Sequence, residues 1–152
     1  MSSFSWEPFG RARDDGADDA PFEAPAAEAP AAPVPPQQAQ PRRRLAILTC
    51  MDARIDPLAV LGLTLGDANV MRNAGAVASD DVLRSLGAAV EKLGVVRAVV
   101  MGHTDCAGFD SDNTAAAAGV ADSVRRIRGA MPHGFAVDAF MYDVSTGTLN
   151  PL

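Results

Sequence analysis

The sequence predicts an α/β fold of three layers, with a central, mostly parallel β-sheet of about four strands flanked by helices on both sides. Two observations carry this prediction. Residues 45–49 and 95–101 form apolar runs, the second of them mostly β-branched, which is typical of strands buried on both faces of a parallel sheet. A segment with helical periodicity lies between them, and the strand–helix–strand order indicates parallel strands joined by right-handed crossovers.

The composition divides the chain into two parts. The 152 residues are 48% hydrophobic and leave room for one folded domain. Residues 1–41 are predicted to be a disordered, acidic, Pro/Ala-rich tail, because residues 21–41 hold seven prolines and residues 1–40 carry −5 of the formal charge of −6. Residues 42–152 are predicted to be the domain, and its small net charge gives no reason to expect a nucleic-acid partner.

The tail lacks the features of an export signal, because no charged start precedes a long apolar core. No apolar run reaches the length of a membrane span, so we expect a cytoplasmic protein without a membrane partner. Phe4, Trp6 and Phe9 form an aromatic cluster near the start of the chain. An incidental cluster is the favoured interpretation, and a docking motif for an unknown protein partner is the alternative.

The first half of the domain reads as strand, short helix, strand and long helix. Asp56 and Pro57 are typical of a helix start, and Gly62 lies near the end of that helix. Residues 69–71 are predicted to form a short second strand. Ser79 begins the clearest helix, whose apolar residues recur at helical spacing until Gly94 ends it.

The second half contains one more helix and one more strand. Residues 110–113 are predicted to form a turn and helix start, and residues 115–128 continue as an alanine-rich helix. Residues 135–144 are predicted to form the final strand, with Asp143 and Thr146-Gly147 in the turn after it. His133 lies in the loop before this strand and is interpreted as an exposed side chain rather than a proton shuttle.

Both cysteines of the chain lie in polar clusters that directly follow predicted strands. The first cluster reads Thr49-Cys50-Met51-Asp52-Ala53-Arg54, and the second reads Gly102-His103-Thr104-Asp105-Cys106. An open α/β sheet places its functional site at the carboxyl ends of its parallel strands, so the two clusters are expected to meet.

Cys50, His103 and Cys106 are the kinds of ligand that zinc prefers, and three protein ligands with an open fourth position are typical of a catalytic zinc. Asp52 can ligate the metal as well, or it can turn away onto Arg54 and leave room for water. The alternatives are two buried thiols that pack as small hydrophobes, or a disulfide, which a reducing cytoplasm disfavours.

Three motifs in this order and spacing resemble the β-class carbonic anhydrases. They are Cys50-Met51-Asp52-Ala53-Arg54, Arg72-Asn73-Ala74-Gly75 and His103-Thr104-Asp105-Cys106. Residues 140–147 resemble the last strand and turn of the family more weakly. The similarity covers roughly residues 44–108, and Ala107 stands where the family pattern usually has glycine.

The resemblance implies a β-carbonic anhydrase-like fold, a Zn²⁺ cofactor and the reversible hydration of carbon dioxide to bicarbonate by zinc-bound hydroxide. Cys50, His103 and Cys106 would hold the zinc, while Asp52 and Arg54 would form a catalytic dyad that gates the fourth position. In the closed state Asp52 itself would be the fourth ligand. A homodimer or higher homo-oligomer is also implied, since sites of this family are completed at a dimer interface.

Two alternative functions remain open at this stage. A zinc hydrolase of carbon disulfide or carbonyl sulfide would keep the fold and the metal, and would differ only in the access of substrate. A catalytically weak, zinc-stabilised binding module would keep the metal alone. The presence of both Asp52 and Arg54 favours an enzyme, because a purely structural zinc needs no such pair.

Overall fold

The computed structural model describes residues 39–152. Residues 1–38, with most of the predicted tail and its aromatic cluster, lie outside the described residues. The elements are β1 (Leu45–Cys50), α1 (Pro57–Val60), β2 (Ala68–Asn73), α2 (Asp80–Leu93), β3 (Arg97–His103), a 3₁₀ turn (Ala107–Phe109), α3 (Asn113–Ala130), β4 (Ala136–Asp143) and β5 (Thr148–Pro151).

One sheet of five strands, in the order β2-β1-β3-β4-β5, forms the centre of the domain. The first four strands in this order are parallel neighbours, and β5 runs antiparallel to β4. The predicted α/β fold with a mostly parallel sheet is therefore confirmed. The prediction lacked β5, because its four residues include Asn150 and Pro151, which have low strand propensity; an edge position tolerates them.

The centre of the sheet is apolar, as the hydrophobic runs predict. Every residue of β1 is buried, and β3 is buried after its first residue. Thr49 is the polar exception in β1, and its hydroxyl donates a hydrogen bond of 2.9 Å to the Met101 carbonyl. The bond satisfies the buried Thr49 hydroxyl and joins the end of β1 to its neighbour β3.

The helix ends agree closely with their sequence signals. The Asp56 carboxylate caps α1 by accepting from the Ala59 N–H, and the Ser79 hydroxyl caps α2 by accepting from the Val82 N–H. Gly94 ends α2 with a φ of 69°, which favours glycine. The next helix, α3, begins at Asn113, within the predicted turn and helix start at residues 110–113, because Asp112 caps it.

Gly102 of β3 faces α3, since a Cβ built on it would lie 2.5 Å from the Val120 side chain. Hydrogen bonds join α3 to the start of α2. The Arg126 guanidinium donates to the Asp80 carboxylate at 2.8 Å, and the buried Ser123 hydroxyl bonds two backbone groups of the loop before α2.

No helix within residues 39–152 combines the length and the apolar character needed to cross a bilayer.

Candidate metal centre

The two predicted clusters meet at one edge of the sheet. Cys50 is the last residue of β1 and His103 is the last residue of β3. Because β1 and β3 are parallel neighbours, both strands end on the same side. Cys106 follows His103 after a short turn, so the sheet topology brings all three side chains together.

The three side chains form a compact donor set. One ligand atom each from Cys50, His103 and Cys106 lies within 4.8 Å of the others, and all three residues are buried. The two sulfur atoms are 3.8 Å apart and both thiols are free, so the disulfide alternative is not realised in this structure.

The orientation of His103 supports a ligand role more directly. Its Nδ1 lies 2.8 Å from the Thr104 carbonyl oxygen and donates to it. The tautomer therefore leaves a lone pair on Nε2, which is buried and has no hydrogen-bond partner within residues 39–152. A buried nitrogen without a partner is costly, and a metal ion between the two sulfurs would satisfy it.

The environment of the thiols also fits a cation. Burial raises the pKa of the Cys106 thiol, and backbone hydrogen bonds from Gly108 and Phe109 offset only part of this effect. The Gly75 N–H donates to the Cys50 sulfur at 3.3 Å. Because thiolates are the form that binds zinc, a buried dication would provide the charge that stabilises them.

Asp52 and Arg54 stand beside this donor set as a pair. The Asp52 carboxylate accepts three hydrogen bonds from Arg54, from the backbone N–H at 2.9 Å, from Nε at 3.0 Å and from Nη2 at 2.8 Å. These bonds hold the pKa of Asp52 well below its usual range, and the bonds from the Arg54 side chain contribute most to this effect. Asp52 Oδ2 lies 3.9 Å from His103 Nε2, so the carboxylate borders the space into which Nε2 points.

Asp105 binds the other side of the same guanidinium, a contact that sequence reasoning missed; the only signal for it was the residue's place in the second cluster. Arg54 Nη1 donates to Asp105 Oδ2 at 3.0 Å, and Nη2 donates to the Asp105 carbonyl at 3.0 Å. The Ser111 hydroxyl donates to the other carboxylate oxygen at 2.7 Å. The hydrogen bonds to its carboxylate lower the pKa of Asp105, and the bond from Ser111 has the largest effect, followed by the bond from Arg54.

The loop at residues 72–75 supports the first cluster through its backbone. Arg72 Nε donates to the Cys50 carbonyl at 2.8 Å, while Nη2 donates to the carbonyls of Asp52 and Ile55 at 2.8 and 3.1 Å. Asn73 closes its own turn through two hydrogen bonds to Val77. Through these contacts the loop supports the backbone that carries Cys50 and Asp52.

Phe109 packs the second cluster against its surroundings, and sequence reasoning missed it. A Cβ built on Gly75 would lie 2.6 Å from this ring, and one built on Gly119 would lie 2.4 Å from it. The ring therefore fits between two glycines on separate elements.

His133 is exposed and precedes β4, at the opposite end of the strands from the candidate site.

A family model described as "Carbonic anhydrase" matches residues 45–136 of the chain. Beta-carbonic anhydrase 1 of Mycobacterium tuberculosis is 45% identical over 71 residues, which cover 47% of this chain and 44% of that protein. Carbon disulfide hydrolase of Saccharolobus solfataricus is 44% identical over 64 residues, which cover 42% of this chain and 31% of that protein. The chain thus spans less than half the length of these curated relatives.

Solved structures of similar fold extend the comparison beyond the matched segment. A crystal structure of carbonic anhydrase from Streptococcus mutans superposes with a TM-score of 0.67 at 32% identity. The superposition covers 74% of this chain and 82% of the Streptococcus chain.

Proposed function

This chain belongs to the β class of the carbonic anhydrase family, and we propose that it catalyses the reversible hydration of carbon dioxide to bicarbonate at a zinc ion. The observation that carries the proposal is the convergence of two buried sulfurs with His103 Nε2, which has no partner within the described residues. Cys50, His103 and Cys106 are the proposed zinc ligands. Zinc held there would supply a Lewis acid that makes a water molecule acidic enough to provide the attacking hydroxide.

Two thiolates offset the charge of the zinc, so the water is expected to be less acidic than at a site with three neutral histidines. The protein's own contribution is to orient the reacting groups. Asp52 is held by Arg54 and borders the reaction space, so its carboxylate would accept a hydrogen bond from the attacking group. In this position the carboxylate would orient the attacking group toward carbon dioxide.

The same pair provides a gate. In the structure Asp52 is bound to Arg54, an arrangement that would leave the fourth ligand position of a zinc ion free of its carboxylate. If the pair separated, Asp52 would be free to act as the fourth ligand and close the site. The expected acidity of the water also predicts a pH dependence. Activity should rise with pH, because more of the water is then ionised, and a flat profile from about pH 6.5 to 9 would contradict the proposal.

Carbon disulfide is the second candidate substrate, because carbon disulfide hydrolase of Saccharolobus solfataricus is among the relatives. Hydroxide attack on a small linear molecule is common to both reactions, and only the access of substrate distinguishes them. Relative turnover of carbon dioxide and carbon disulfide by one preparation separates the two.

The proposal extends to assembly and location. We expect a homodimer or higher homo-oligomer, since β2 is an edge strand and Val70 on it is exposed. A cytoplasmic location also remains a prediction, as it keeps both thiols reduced.

Stopped-flow hydration of carbon dioxide tests the function directly. The purified chain, with its zinc content measured, is assayed at pH 8.5 beside Cys106→Ser. We expect about one zinc per chain and turnover that is lost in the variant. Zinc without turnover on either substrate would refute the enzymatic proposal and favour the zinc-stabilised binding module, whereas a chain that binds no zinc would refute the metal centre.

A further inference from the structure

Arg54 lies between two carboxylates, and the proposed mechanism uses only one of them. Four of its five guanidinium N–H groups are accounted for by Asp52 on one side and Asp105 on the other. Asp52 is the sheltered partner, with 15% of its side chain exposed, whereas 48% of the Arg54 side chain is exposed. The guanidinium therefore approaches Asp52 from the solvent side.

A single carboxylate holds such an exposed arginine only weakly. Water competes for the N–H donors, and fixing the long side chain in one conformation costs entropy. A second carboxylate changes this balance. Nη1 binds the Asp105 side chain and Nη2 binds the Asp105 carbonyl, so both ends of the planar group are fixed. With the guanidinium fixed, Nε and Nη2 stay directed at Asp52.

The protein also holds Asp105 itself in place. Asp105 has a φ of 52°, a left-handed conformation that asparagine and aspartate tolerate better than most residues. Its N–H donates to the Asn113 side chain at 2.9 Å, and Ser111 donates to its carboxylate. Ser111 is left-handed as well, with a φ of 60°. An incidental surface ion pair would not require this strained and hydrogen-bonded support.

We propose that Asp105 is a positioning residue, which holds Arg54 against Asp52 and thereby keeps Asp52 out of the fourth ligand position. This inference rests on the proposed function and adds a third member to its gate. Loss of the Asp105 carboxylate frees Arg54 on one side, weakens the Asp52 pair and shifts the population toward the closed site.

Azide binding to the cobalt-substituted protein tests the inference without measuring turnover. Cobalt bound by two thiolates absorbs through charge transfer, and azide reports whether the fourth position is open. Asp105→Asn keeps the shape, the left-handed conformation and the acceptor for Ser111, but removes the charge that holds Arg54. If the open population falls to about a tenth, the apparent Kd for azide rises about tenfold.

The sign of the change separates this mechanism from simple electrostatics. Removing a negative charge near the site would by itself strengthen the binding of an anion, so charge alone predicts a lower Kd. Asp110→Asn is the matched control, because Asp110 is also exposed and left-handed, with a φ of 51°, and forms no ion pair within residues 39–152. We expect its Kd to be unchanged or slightly lower.

Two further variants protect the conclusion. Asp52→Ala in the Asp105→Asn background removes the competing carboxylate and should restore azide binding, while Ser111→Ala should raise the Kd by less than Asp105→Asn does. An unchanged or lower Kd in Asp105→Asn, with intact thiolate-to-cobalt absorption, would overturn the positioning role and leave the proposed function standing. Absence of that absorption in the unmodified protein would instead refute the metal centre, and the inference with it.

Discussion

Replacing Gly119 with alanine tests how tightly the turn that carries Cys106 is packed. Gly119 lies within α3, where alanine ordinarily stabilises a helix by about 1 kcal/mol. Here the new Cβ would lie 2.4 Å from Phe109 Cζ, whereas ordinary contacts begin near 3.4 Å. The ring would have to retreat by about 1 Å, and its close approach to Gly75 as well restricts that movement.

The two effects have opposite signs and can be compared. Forcing an extra methyl group into a packed site costs about 1–3 kcal/mol, which offsets the helical gain and leaves a net destabilisation of about 0–2 kcal/mol. Gly87 provides the matched control, since it lies within α2 and a Cβ built there meets nothing within 4 Å. Gly87→Ala should therefore stabilise the domain by about 1 kcal/mol.

Urea unfolding of both variants measures this difference, with the slope of the transition used to check that the unfolding mechanism is unchanged. We expect Gly87→Ala and Gly119→Ala to differ by about 1–3 kcal/mol in the free energy of unfolding. Because Phe109 follows Cys106 in the same turn, Gly119→Ala should also weaken zinc binding by roughly tenfold. Phe109→Leu in the Gly119→Ala background should recover part of the stability. Equal stabilisation by the two alanines would refute the packing argument.

Three other perturbations have defined outcomes. Arg72→Lys leaves at least one of the three carbonyls in segment 50–55 without its donor, so the urea midpoint should fall by an amount equivalent to about 1–3 kcal/mol; an unchanged midpoint would show that water replaces the guanidinium. Ser123→Ala removes a buried hydroxyl that bonds two backbone groups, and a loss of about 1–3 kcal/mol is expected from thermal unfolding, while a neutral result would contradict the burial of those groups. Asp52 has a pKa lowered by Arg54, so its contribution to stability is present above the unfolded pKa of about 3.9 and is lost as the pH falls toward the lower folded value. The difference in unfolding free energy between the metal-free protein and Asp52→Asn should thus be largest near neutral pH and shrink below about pH 4, and a constant difference would argue against the ion pair.

Much of the fold was readable from local sequence. The apolar runs predicted β1 and β3, because strands buried on both faces need no polar alternation. Ser79 and Gly94 predicted the ends of α2, because capping depends on the residue type at one position. The edge strand β5 was not predicted from the sequence, because it forms through pairing with β4 rather than through its own strand propensity.

The sequence by itself also predicted the donor set, because both clusters of ligand types follow strands of a parallel sheet, whose carboxyl ends lie at one edge. The tertiary structure alone decided how the side chains around that set are arranged. The contact between Arg54 and Asp105, and the position of Phe109 between Gly75 and Gly119, join residues on separate elements. No periodicity or propensity encodes such contacts, since they depend on the directions that side chains take once the backbone has packed.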